Sequence, residues 1–174
     1  MPRVPSAPRA TAHDVRLPAP RTTRLGVIPT MPTRTATAVW EGRLRDGRGV
    51  FNVESGAIAG DYSFGSRFGH GGGSNPEELL AAASAACYSM ALSGALEKAG
   101  MTPERIETRA ACTIDALDGG GWRITRMRLA VHARVPNGDR DAFKDCAEAT
   151  AQECPVSKAL MGNVDIEVDA RLED

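Results

Sequence analysis

The hydrophobic pattern of this chain changes period several times, and each change marks an element. Residues 35–43 read T-A-T-A-V-W-E-G-R and residues 50–55 read V-F-N-V-E-S, two β-rich runs on either side of D-G-R-G. A D-G dipeptide in that setting predicts a hairpin, here with a loop longer than two residues. In residues 107–116 Ala110, Cys112, Ile114 and Ala116 take the even positions while Thr113 and Asp115 alternate with them. That is the period of a half-buried strand. Across residues 122–135 the parity shifts: Trp122 and Ile124 are even, whereas Met127, Leu129, Val131, Ala133 and Val135 are odd. A shift inside one strand predicts a β-bulge near residues 125–126. Residues 163–172 predict a last strand, with Val164, Ile166, Val168, Ala170 and Leu172 on one face.

Between these strands the period becomes helical. Asn75 is a good N-cap, Pro76 suits the first helical position, and Glu78 stands where it can close a capping box. Glu77 is then free for another role. The helix is expected to run about 25 residues to Gly100, a natural C′ position before Thr102 and Pro103. Its middle is made of alanine, serine and glycine, so it is expected to be buried on most faces, partly by a second subunit. Residues 139–153 predict an amphipathic helix, and Pro155 disfavours helix at Cys154 while opening a short new one. Residues 56–74, with seven glycines, read as a flexible surface loop. The order β-β-α-β-β-α-α-β is an α+β plan, a mainly antiparallel sheet covering a central helix.

Composition adds a boundary. Residues 1–30 hold six of the eleven prolines, and five arginines against the single acid Asp14. This segment cannot bury enough apolar surface to offset chain entropy and is expected to be disordered, with Met31 the natural start of a single domain over residues 31–174. Without it the chain has 16 basic and 21 acidic residues, a net charge of −5, which argues against nucleic acid as a partner. No segment is expected to span a membrane. Four cysteines without a secretion signal point to a reducing compartment, and the expected location is the cytoplasm.

The cysteines carry the chemistry. They lie 25, 34 and 8 residues apart with no C-x-x-C, and the histidines (His13, His70, His132) are scattered, so no metal or other cofactor is expected. Cys112 on an apolar strand face and Cys146 on a helix are expected to be bystanders. Cys87 by itself reads as core packing, because it lies too deep in its helix to feel the helix dipole. Activation would require a cation brought by tertiary structure. Arg67 in F-G-S-R-F-G is the candidate, with Glu77 to orient its guanidinium bidentately.

The segment G-S-R-F-G-H-G-G-G-S-N-P-E-E-L-L-A-A-A-S-A-A-C-Y-S-M-A-L, followed 67 residues after Cys87 by C-P-V-S-K, resembles the OsmC/Ohr family of thiol-dependent peroxidases. W-E-G at residues 40–42 and V-E-S-G at residues 53–56 add to the likeness, which covers residues 35–174 and leans toward the OsmC branch. It implies an intertwined α+β homodimer with central helices packed together and active sites at the interface. It also implies Cys87 as peroxidatic cysteine, Cys154 as resolving cysteine, Arg67 as catalytic arginine and Glu77 as its partner acid. Organic hydroperoxides are the implied substrates, with a dithiol, such as a lipoyl protein, as reductant. The alternative is a redox-sensing or ligand-binding dimer without turnover. Phe68, Tyr88 and Met90 are expected to favour organic substrates.

Overall fold

The computed structural model describes residues 32–173; the expectations for residues 1–30 and for Met31 as the start lie outside them. The chain runs β1 (Ala36–Glu41), β2 (Arg48–Val53), β3 (Ala59–Tyr62), α1 (Phe64–Phe68), α2 (Pro76–Lys98), β4 (Arg105–Ala116), β5 (Trp122–Arg134), α3 (Arg140–Glu153), α4 (Pro155–Leu160) and β6 (Asp165–Leu172). It is an α+β fold. Two three-stranded sheets form, β1-β2-β3 and β4-β5-β6. Among the described strands every pairing is antiparallel except β5 with β6, which is parallel. A parallel pair needs a long crossover, and α3 and α4 supply it.

The hairpin joins β1 to β2 through residues 42–47, longer than two residues as its sequence predicts. The bulge also falls where parity changes: Thr113 pairs with Arg126 and Ile114 with Ile124, leaving Thr125 without a partner across the ladder. This restores the apolar face, so that Met127, Leu129, Val131 and Ala133 are all buried. The glycine-rich stretch differs from expectation. Residues 56–74 contain β3 and α1 rather than an uninterrupted loop. Ser63 caps α1 and exchanges side-chain and backbone hydrogen bonds with Ser66. Glycine is required at residue 73, where φ is +106° and a Cβ would meet the Asp61 carbonyl oxygen at 2.7 Å.

Helix α2 begins as predicted, with the Asn75 side chain accepting from the Glu78 N–H at 2.9 Å. The box is not closed on Asn75, because the Glu78 carboxylate accepts from Ser74 Oγ at 3.0 Å instead. Burial on most faces does not hold within one chain. A single stripe of Glu77, Ser84, Tyr88, Leu92 and Leu96 is buried, packed on β4, β5 and α3 with Phe143 and Ala147. Met90 on another face is 75% exposed. By length and composition alone Pro76–Lys98 is long and apolar enough to cross a membrane. Its alanines create that average, and its large residues are spent on the stripe against the sheet.

Candidate active site

Two helices bring Cys87 and Cys154 together. Cys87 precedes Tyr88, which is fully buried and donates its hydroxyl to the Ala147 carbonyl of α3 at 2.8 Å. That bond fixes the rotation of α2 against α3. Cys154 closes α3 and opens α4, its N–H donating to the Thr150 carbonyl and its carbonyl accepting from Lys158. Pro155 forces the extended backbone seen at Cys154, φ −55° and ψ 128°. The Cys154 thiol is 1% exposed, and its sulfur lies 2.7 Å from that of Cys87, with both thiols free. A disulfide at about 2.05 Å is a small movement away.

The pair shares a proton unequally. Burial pushes the Cys87 thiol above its ordinary value, and the contact with Cys154 adds to this. At Cys154 burial also acts upward, but the hydrogen bond with Cys87 and the backbone N–H groups of Ser157 and Val156 outweigh it, so the net direction is down. Within a single chain, therefore, nothing yet makes Cys87 the better thiolate.

The second pair is built at the N-terminal end of α2, whereas Cys87 stands at its middle. Arg67 in α1 donates Nε to both carboxylate oxygens of Glu77 at 3.1 Å and Nη2 to Oε1 at 2.6 Å. Glu77 is 7% exposed, and the bidentate geometry fixes the guanidinium plane. The guanidinium also stands over the Phe68 ring, 5.1 Å from its centroid. Yet Glu77 and Cys87 are ten residues apart, about 15 Å along a helix axis. Side chains tilt toward the N-terminus of a helix, so a guanidinium held on Glu77 does not reach Cys87 of its own chain. The structure unites the predicted four residues as two pairs and leaves the pairs apart.

A family model described as OsmC-like protein matches residues 69–169. The chain belongs to the OsmC-like family. The peroxiredoxin OsmC of Escherichia coli is 40% identical over 131 residues, covering 75% of this chain and 91% of that protein. The organic hydroperoxide resistance protein OhrB of Bacillus subtilis is 30% identical over 100 residues, 57% of this chain and 71% of that one. Among solved structures, an organic hydroperoxide resistance protein OsmC from Legionella pneumophila superposes with a TM-score of 0.60 at 25% identity, covering 78% of this chain and 96% of that one. The activity that this membership carries is that of a thiol-dependent peroxidase.

The remaining candidates in this OsmC-like chain sort by geometry. Tyr88 is sealed in the core with its hydroxyl spent on Ala147, so it does not line a substrate surface. Burial, then the neighbouring Cys154, holds that phenol far above its ordinary range. Phe68 does stand beside Arg67. Cys146 rests against the Ala95 carbonyl, 3.9 Å away. Cys112 is closer to the Arg67–Glu77 pair than its spacing suggests, lining a cavity of about 360 Å³ with Arg67, Glu77, Ala81 and Ile114. Burial, then the Glu77 carboxylate, pushes its thiol up, keeping it protonated. Among the described residues no cluster of three His, Cys, Asp or Glu is placed to hold a metal ion.

Proposed function

We propose that this chain reduces organic hydroperoxides to alcohols through Cys87 and Cys154, as a cytoplasmic homodimer in which Arg67 and Glu77 of one subunit complete the site of the other. The observation that carries the reading is the 2.7 Å approach of the two sulfurs. The Cys87 thiolate attacks the terminal oxygen of R-O-O-H, and the O–O bond breaks. The alkoxide leaves with a proton as the alcohol, and Cys87 becomes a sulfenic acid. The Arg67 guanidinium supplies the cation that burial of Cys87 otherwise lacks, and its donors face charge growing on the departing oxygen. The Cys154 thiolate then attacks the sulfenic sulfur, water leaves, and a Cys87–Cys154 disulfide forms. An external dithiol of lipoyl type reduces it by two exchange steps, becoming a disulfide itself.

Two copies are favoured by what one chain leaves bare. Val39, Val50 and Ile58 of the first-sheet region and Met90 of α2 are each at least 44% exposed. The Arg67–Glu77 pair is out of reach of Cys87 in cis. The test is peroxide consumption with excess dithiol. Cys87→Ser is expected to abolish it, and Cys154→Ser to allow one turnover and leave sulfenic or sulfinic acid on Cys87 by mass spectrometry. Undiminished consumption by Cys87→Ser would sink the assignment. A wild-type protein that stops after one turnover would instead support a redox-sensing dimer.

A further inference from the structure

Helix α1 cannot hold Arg67 by itself. It has five residues, no buried residue among them, and glycines at positions 65, 69, 71, 72 and 73 in and after it. A helix this short lacks the length to be stable on backbone hydrogen bonds alone. Its cap comes from within the same segment, through Ser63 and Ser66, and so does the bond from Ser66 Oγ to the Ser74 carbonyl at 2.7 Å. Those bonds lie within the segment; beyond it, α1 is tied by the Arg67–Glu77 pair itself, by Asn75 Nδ2 donating to the Ser66 carbonyl at 3.4 Å, and by the Arg45 guanidinium 5.1 Å from the Phe64 ring centroid.

Among the described residues, the one aromatic ring that reaches α1 through Phe68, the ring under the guanidinium, comes from another element. Trp122, the first residue of β5, packs on Phe68 with ring centroids 4.5 Å apart and planes at 34°. Phe68 in turn touches Phe64 at 5.0 Å and carries the Arg67 guanidinium at 5.1 Å. The strand end that presents Trp122 is itself anchored. Thr125 Oγ1 donates to Asp115 across the hairpin at 2.6 Å, and Arg123 Nη2 donates to the Asn163 carbonyl at 2.8 Å. Trp122 is 54% exposed, so its contribution to burying the core is small. Its ring is spent on α1.

We infer that Trp122 is a positioning residue: through Phe68 it holds the Arg67 guanidinium square on Glu77 and so sets the cation that ionises Cys87. The inference rests on the peroxidase reading and adds a residue that reading does not use. Stacking on a ring and a bidentate carboxylate restrict the guanidinium in two directions. Losing the ring leaves the ion pair but frees α1 to rock, and a displacement of about 1 Å at a reacting group costs up to about a hundredfold in rate.

The experiment uses the full chain with tert-butyl hydroperoxide and excess dithiol, comparing wild type, Trp122→Ala, Trp122→Phe, Arg67→Lys and the double variant Trp122→Ala/Arg67→Lys. Trp122→Ala is expected to lower kcat/KM roughly tenfold with an almost unchanged unfolding temperature. It should also raise the pH at which iodoacetamide alkylates Cys87 at half its maximal rate. Trp122→Phe should restore both. In the Arg67→Lys background Trp122→Ala should cost nothing further, because the two act through one guanidinium. Turnover by the wild type with unimpaired Trp122→Ala, or losses that multiply in the double variant, would overturn the inference alone. A wild type inert toward the hydroperoxide, with Cys87 still alkylated, would overturn the function on which it rests.

Discussion

A thiol reacts in proportion to how much of it is ionised, and Cys87 is held on the unfavourable side by burial and by Cys154. The deficit has to be made good by a cation, so Arg67 is the residue whose removal should show it. Arg67→Leu is expected to lower the rate of hydroperoxide reduction by roughly a hundredfold, the order seen on losing one preorganised donor. The sign of the pH effect follows from the same geometry. Without the guanidinium the thiol loses the interaction favouring its charged form, so the alkylation profile of Cys87 should move to higher pH. A profile that stays in place would mean that Arg67 does not face Cys87. Tyr88 makes the contrasting case. Tyr88→Phe removes a second donor from the Ala147 carbonyl, which lies inside α3 and keeps its helical bond, and is expected to cost about 0.5–1.5 kcal/mol of stability in denaturant unfolding. Peroxide turnover should be retained, because the ring stays and no substrate touches the hydroxyl.

At the scale of elements, the segment between β2 and α2 depends on backbone geometry more than on side chains. Gly73→Ala would force a Cβ against the Asp61 carbonyl oxygen at a φ of +106°. A cost of about 1–3 kcal/mol is expected from the backbone conformation alone, read as a lower unfolding midpoint. A drop in kcat/KM should accompany it, since the Asp61–Ser74 hydrogen bond that closes this turn is next in line. This segment is also where sequence reading was least complete. Strands β1, β2, β4, β5 and β6, the bulge at Thr125 and the Asn75 cap of α2 announce themselves by parity or by local side-chain chemistry, whereas β3, inside the glycine-rich stretch, does not. Helix α1 does not, because seven glycines in residues 56–74 mask a Ser63–Ser66 cap and a Phe64–Phe68 pair one turn apart. The candidate site was legible in its proposed members, Cys87, Cys154, Arg67 and Glu77, through motif order. Its division into two pairs was not, since ten residues of helix separate Glu77 from Cys87 and only the axial rise exposes the gap. The place of Cys112 beside Glu77 was hidden for a similar reason. Parity names the face of β4 but not what stands across from it.

On the proposed mechanism the whole molecule has to bring together two pairs of residues that one chain keeps about 15 Å apart. If a second copy supplies the missing half, the pairs can be separated genetically. Protein carrying Cys87→Ser has intact arginines but no peroxidatic thiol, and protein carrying Arg67→Leu has the thiol but no cation. Each is expected to be nearly inactive by itself. Mixed after dissociation and reassembly in equal amounts, half the dimers should be heterodimers. Each heterodimer contains one site with Cys87 from one chain and Arg67 from the other, and one site lacking both. About a quarter of wild-type activity per chain is therefore expected from random pairing in a two-fold dimer. An arginine acting within its own chain predicts no gain at all on mixing, because no chain in the mixture carries both residues. Sedimentation of the mixture checks that dimers have re-formed, and Met90→Glu supplies the opposing control. A carboxylate on that exposed face of α2 should keep the chains apart and abolish the recovered turnover. The Cys87–Cys154 disulfide should still form in those separated chains under a chemical oxidant, since both sulfurs belong to one chain.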